Sequence, residues 1–172
     1  MGDRLDVILE QWAAARPDLD TAPMGVIGRI SRASSLLAQR LDTVFAEHNL
    51  QRGEFDILAT LRRAAGPNGM SAGALASVSM VTSGAITNRV DHLVAKGLVT
   101  RDLDPANRRS TLIALTPSGR QLIDSILPDH VANEVDILSA LSPKQQAKLA
   151  DLLRRLLIGL DDTSEAEQLP PS

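Results

Sequence analysis

Apolar residues recur along most of the chain at helical spacing. Leu5, Ile8, Trp12 and Ala15 fall on one helical face, and Pro17 ends that helix. Thr21 is a plausible cap for a second, long helix reaching about His48, with Pro23 in its first turn and Ile30, Leu37, Leu41 and Val44 as its apolar stripe. A third helix is predicted from about Arg52 to Ala65, with Ile57, Leu58 and Leu61 inward, and Gly66 to Gly69 (GPNG) breaks it. Ser71 opens a short helix to about Val78. Thr82 or Ser83 caps the next, which carries Ile86, Val90, Leu93 and Val94 on one face and which Gly97 stops.

The period then changes. Leu98 to Leu103 and Thr111 to Thr116 read as two strands, and Asp104 to Ser110 as their loop, with Pro105 and Asn107 as turn formers. Pro117 starts another helix to roughly Ile126; Pro128 interrupts or kinks it, and helical sequence resumes to about Leu138. Ser142 and Pro143 begin the last helix, with Leu149, Leu152, Leu153, Leu156 and Leu157 expected inward. The polar tail after Leu160 is expected to be loose.

Two helices across a short turn followed by a two-stranded hairpin make a winged helix-turn-helix, whose second helix can enter a DNA major groove about 12 Å wide. Opposite the core face, the start of that helix carries Ser83, Gly84, Thr87 and Asn88. These are short hydrogen-bonding groups beside a positive helix end, suited to bases and phosphates. Arg108 and Arg109 stand at the tip of the hairpin loop, where an arginine reaches a phosphate or the minor groove. The bland alternative is a capped helix beside a solvated basic loop, since helix-plus-hairpin units also build domains that bind no DNA.

Charge adds to this picture. The chain as a whole is acidic, at −3, yet from Ser83 to Arg120 six basic residues face three acidic ones. A locally basic surface on an acidic protein fits nucleic acid. The 172 residues suffice for one compact domain. With aromatics at 2%, the core must be aliphatic. No cysteine is present, which excludes disulfides, thiolate zinc sites and thiol nucleophiles. No apolar run of about 18 residues suggests a membrane span. The N-terminus does not read as a signal peptide, so the expected location is cytoplasmic.

Enzymatic readings fail on motif. His130 and Glu134 stand four apart, but two residues make no metal site, and a solvated pair is expected. His48 and His92 read as surface or interface histidines. GPNGMSAG lacks the Gly-Lys-Ser/Thr of a phosphate loop, and no serine sits in a nucleophile elbow. No enzyme activity, cofactor or metal is expected; a helical interaction module without DNA contact remains the rival class.

The stretch SGAITNRVDHLVAKGLVTRDLDPANRRSTLIALTPSGRQL resembles the MarR (multiple antibiotic resistance regulator) family of bacterial transcription factors. The marks are the Ser-Gly-x-x-Thr helix start, GLV, the arginine-bearing wing and LTPSG, and the resemblance spans roughly Met24 to Leu160. It implies a mainly α fold with a small β-hairpin and a homodimer joined by N- and C-terminal helices. Such a dimer binds a pseudo-palindrome in double-stranded DNA and usually represses transcription. The implied organisation is one domain, 1–172: N-terminal helices 1–48, winged helix 49–116, dimerisation helices 117–160 and tail 161–172. Broad leucine stripes on the terminal helices agree, because they are more easily buried between two chains than within one. The family often carries Asp at the position of Asn107 and Arg at that of His92.

A narrower resemblance lies in WAAARPDLDTAPMGVIGRISR and EFDILATLRR, which are similar to the urate-responsive branch of the PecS and HucR kind. That likeness implies a ligand held by Trp12, Asp56, Arg89 and Arg101, a small aromatic anion such as urate whose binding weakens DNA affinity. A phenolic or other aromatic acid is the alternative effector. The residues agree in part. Asp56 sits between apolar neighbours and needs a partner if buried. Arg101 alternates with Val99 and Leu103 and is expected on the apolar side of its strand. An Asp, two Arg and an indole could hold a flat anionic heterocycle. Equally, Trp12 could staple its helix to the body, Asp56 and Arg101 could form a structural ion pair, and Arg89 could contact phosphate only.

Overall fold

A computed structural model describes residues 2–66, 68–79, 83–105, 107 and 110–162, with 83–85 as backbone. In chain order the elements are α1 (Arg4–Ala15), α2 (Ala22–Glu47), α3 (Arg52–Ala64), β1 (Met70–Ser71), α4 (Ala72–Val78), α5 (Ser83–Ala95), β2 (Val99–Leu103), β3 (Thr111–Leu115), α6 (Pro117–Ile137) and α7 (Pro143–Ile158). Two compact units result, 1–133 and 134–172.

The core lies in the first unit and is built where the apolar stripes of α3 and α5 meet. Ile57, Leu58 and Leu61 of α3 and Ile86, Val90 and Leu93 of α5 are all buried, with Phe45, Leu75, Ile113, Ile123 and Ile126 around them. The aromatic side chains are few but concentrated: Phe45 stacks on Phe55 with ring centroids 4.3 Å apart. His130 leans on both rings, at 5.4 and 4.7 Å. The expectation that His130 is solvated is therefore corrected. His130 faces Phe45 and Phe55 because α6 lays it against them.

Polar ties hold the helices on this core. Arg52 of α3 donates to Asp42 (2.8 Å) and to the Ala38 carbonyl of α2. Arg62 reaches Asp124 of α6 (2.7 Å). Arg63 donates to the Val78 carbonyl at the end of α4 (2.6 Å), occupying an acceptor the helix end would otherwise leave open. α1 sits on α2 through Gly25 and Gly28, where Leu9 and Leu5 approach too closely to leave room for side chains. Asp3 caps α1, and Arg29 of α2 donates to both Asp3 (2.8 Å) and Asp6 (2.5 Å). The hydrogen bond from Arg29 holds the exposed Asp3 carboxyl below its usual range.

The sheet has three strands in the order β1-β3-β2, with Met70 opposite Ile113 and Val99 opposite Leu115. β1 was not expected; its two residues are too short to show alternation. Gly69, at φ +86°, turns the chain into it where the Ile113 carbonyl passes close by. Other expectations are also corrected. α6 continues through Pro128 rather than stopping. Thr21 is the N-cap residue of α2 as expected, but its side chain makes no cap bond, and Asp20 instead accepts from the Ala22 N–H. Val94 is 41% exposed rather than buried with Ile86, Val90 and Leu93.

The terminal helices keep apolar faces that this chain does not cover. α1 and α7 contain no buried residue. Leu149, Leu152, Leu153, Leu156 and Leu157, expected inward, are 36–52% exposed, and Leu37 of α2 is 39% exposed. Within unit 134–172, Ser142 caps α7 and Gln146 donates to the Leu138 and Leu141 carbonyls, which shapes the turn without covering the leucines. No helix among the described residues is long and apolar enough to cross a membrane.

Candidate nucleic-acid interface

α4 and α5 are the two helices of the helix-turn-helix, and α5 presents one apolar and one polar face. Ile86, Val90 and Leu93 are at most 2% exposed, whereas Thr87, Asn88 and Asp91, about half a turn round the helix, are exposed. The buried stripe thus fixes which side chains face outward. Ser83 and Gly84 lie in the first turn of α5, with only their backbone described. Thr82, the other expected cap, lies outside the described residues, as do Arg108, Arg109 and residues 163–172 of the tail.

β2 and β3 pair from Val99–Leu115 out to Leu103–Thr111. At the far end, the Asp104 N–H donates to the Ser110 carbonyl (3.0 Å), Asn107 to Asp104 (3.1 Å) and Ser110 to Asn107 (2.8 Å). The backbone at Asn107 is therefore braced from both sides. At its base the wing is held by Thr116, whose hydroxyl donates to the Gly97 carbonyl (2.8 Å) just after α5. Gly97 itself has φ +69°, as its place after the helix requires.

The four expected ligand residues are placed as follows. Arg89, on the flank of α5, lays its guanidinium across Gly53 of α3; a Cβ at Gly53 would lie 2.7 Å from Arg89 Cδ and closer still to Nε and Cζ. Asp56 is one turn further along α3, half-buried and engaged rather than free. Arg101 of β2 pairs with Asp91 of α5 at 2.8 Å, its side chain 32% exposed. The expectation that Arg101 points to an apolar face is corrected: only Val99 of β2 is buried, and Leu103 is 66% exposed as the wing leaves the core. Trp12 stands on α1, 41% exposed. Arg89 and Asp56 thus share one face of α3, and Arg101 holds Asp91.

Sequence reasoning missed Glu54. It is 1% exposed, and its carboxylate accepts from Lys96 Nζ (2.8 Å) and the Gln51 N–H (2.8 Å). The Gln-x-x-Glu spacing of Gln51 and Glu54 is a readable capping-box signal, but nothing local shows that the carboxylate is buried. Among the described residues no three His, Cys, Asp or Glu side chains gather as a metal site.

A winged helix-turn-helix with a polar outer face on its second helix defines a DNA-binding protein of the transcription-regulator class. Residues 50–111 match the model of the MarR family. The chain is 42% identical over 149 residues to the HTH-type transcriptional regulator PecS of Dickeya dadantii (strain 3937), covering 87% of this chain and 90% of that one. It belongs to the MarR family, in its PecS-like branch. Solved structures agree in fold. A mutant MarR from E. coli complexed with operator DNA gives a TM-score of 0.68 at 23% identity, covering 85% of this chain and 97% of that one. Bordetella bronchiseptica BpsR, whose DNA binding is regulated by 6-hydroxynicotinic acid, gives 0.69 at 23% identity, covering 76% and 91%.

Proposed function

We propose that this MarR-family regulator is a cytoplasmic repressor that binds a pseudo-palindromic operator as a homodimer and leaves it when an aromatic anion, urate first, occupies a site around Trp12, Asp56, Arg89 and Arg101. The observation that carries the DNA part is the split of α5 into a buried Ile86–Val90–Leu93 stripe and an exposed Thr87–Asn88–Asp91 face. Ser83, Gly84, Thr87 and Asn88 are assigned to the major groove, and Arg108 and Arg109 to the backbone or minor groove. The exposed leucines of α7 and apolar residues of α1 and α2 support a second copy as their cover.

The Arg101–Asp91 pair suggests how an effector acts. Asp91 lies on the DNA-facing side of α5, and its negative charge is offset by Arg101 at 2.8 Å. An anion that takes the guanidinium leaves Asp91 uncompensated beside the phosphates. Coupling of this kind is typically ~1–3 kcal/mol of DNA affinity. The likeness to PecS supports the branch.

Fluorescence anisotropy with a duplex selected from a random library tests both parts. Arg109→Ala should weaken binding to all sequences and lower the salt dependence by about one phosphate's worth. Thr87→Val should instead change sequence preference. Urate should release the duplex over the concentration range in which it quenches Trp12, the only tryptophan in the chain. Release by a phenolic acid but not by urate would refute the urate assignment and leave the regulator reading intact.

A further inference from the structure

Glu54 is the one charged side chain among the described residues that is almost wholly buried. Its cation comes from the last turn of the helix that carries Thr87 and Asn88. Lys96 Nζ donates to Glu54 Oε2 (2.8 Å) and to the Asn49 carbonyl (2.7 Å), in the turn between α2 and α3. His92, one turn earlier on the same face of α5, brings Nδ1 to 3.9 Å from the other carboxylate oxygen. The start of α3 and the end of α5 are thus joined by a directional clamp. Apart from Arg89 lying across Gly53, the buried contact between these helices is made by apolar side chains and permits small slides and tilts.

A buried ion pair is poor value for stability alone. Its desolvation cost offsets most of the attraction, and an apolar pair of similar volume often does as well. What an ion pair adds is geometry. Nine residues, or about 13 Å at the helical rise, separate Lys96 from Thr87. Over that arm a tilt of about 5° moves Thr87 by roughly 1 Å, enough to spoil a hydrogen bond to a base edge.

We infer that Glu54 and Lys96 are positioning residues that set the angle of α5 and thereby the sequence specificity of DNA binding. This inference rests on the reading of α5 as the base-contacting helix. Glu54→Gln keeps the acceptor for the Gln51 N–H but removes the charge, and so separates the capping role from the clamp. Lys96→Met removes the cation at a side chain 30% exposed and leaves the buried Glu54 unpaired, so its fold is compared with that of Glu54→Gln.

The test uses the full-length protein, a duplex selected from a random library by the unmodified protein, and a scrambled duplex of the same length and composition. Helicity and thermal midpoint are recorded for each variant. Each single variant should bind the selected duplex about tenfold more weakly, the loss of roughly one good base contact, with the scrambled duplex changed less than about twofold. The double variant should be no worse than the weaker single one, and Lys96→Arg should restore selected binding. If both single variants fold and bind the selected duplex as the unmodified protein does, the clamp has no positioning role. If Lys96→Met weakens both duplexes equally and lowers the salt dependence, Lys96 is a phosphate contact and the inference is overturned. If Thr87→Val changes sequence preference while the clamp variants do not, only the clamp inference fails. If neither changes it, the assignment of α5 fails as well.

Discussion

Two glycines in the first unit allow the cost of adding one methyl group to be compared by what it meets. A Cβ at Gly53 would lie 2.7 Å from Arg89 Cδ and closer to the guanidinium itself. Carbon atoms in contact prefer about 3.5–4.0 Å, so Arg89 must move by roughly 1 Å or more. It is the far end of a long side chain and can swing to another rotamer at a cost of about 0.5–1.5 kcal/mol. Replacing a helical glycine by alanine returns about 0.5–1 kcal/mol. Gly53→Ala should therefore change stability by less than about 1 kcal/mol, or ~2–4 °C in Tm for a chain of this size. At Gly119 the same methyl would stand 2.9 Å from the Leu98 carbonyl carbon and closer to its oxygen. That carbonyl is backbone, already accepts from the Thr116 N–H (3.1 Å), and cannot rotate away. Overpacking against it should cost about 2–3 kcal/mol, lowering Tm by ~4–10 °C.

Thermal unfolding by circular dichroism, at one protein concentration for both variants, measures the difference. The functional consequence separates them again. Gly53→Ala evicts Arg89 from its seat on α3, so the well-folded variant should lose response to the effector, whereas Gly119→Ala should keep its response at temperatures where it is folded. Equal falls in Tm for the two variants would refute the argument that the identity of the atom met decides the cost.

Further outcomes are expected. Leu153→Glu places a charge among the exposed leucines of α7 and should convert a dimer to monomer in sedimentation, with loss of operator affinity. Arg101→Ala should weaken operator binding about threefold to tenfold by leaving Asp91 unpaired, and Asp91→Asn added to it should restore binding; failure of that rescue removes the proposed switch. Asp3→Asn should loosen α1 and red-shift Trp12 emission. Because the hydrogen bond from Arg29 lowers the Asp3 carboxyl, its contribution is present above the ordinary value of 3.8 and lost as pH falls through the lowered one, and emission of the unmodified protein should follow that course.

The apolar period placed α3, α5 and the wing correctly because in those elements burial occurs within the chain. Ile57, Leu58, Leu61, Ile86, Val90 and Leu93 all reach the core their spacing predicts. The leucines of α7 also form the stripe their spacing predicts, but this chain does not cover it, since a stripe records that a face seeks cover and not which chain supplies it. β1 escaped notice because two residues cannot show a period. Arg101 was legible as a residue needing an anion, yet its partner proved to be Asp91 on the neighbouring helix. Glu54 was visible as a helix-start residue and not as a buried charge, because its burial depends on α5 returning 42 residues later with Lys96.

The polar ties around α5 differ in a way that bears on regulation. Arg101 and Asp91 are about one-third and one-half exposed, so their pairing is of the order of ~0.2–1 kcal/mol and can be exchanged for an incoming anion at little cost. Glu54 is buried, and breaking its pair with Lys96 would strand a charge at ~3–5 kcal/mol. A ligand shifts an equilibrium only by its difference in affinity for the two states. With ~1–3 kcal/mol of coupling to spend, it can displace the outer pair but not the inner one. On the proposed reading, the wing side of α5 is the side that responds, with the clamp at Glu54 as its fixed point. Release should take the form of a tilt of α5 about its C-terminal end rather than a detachment from α3.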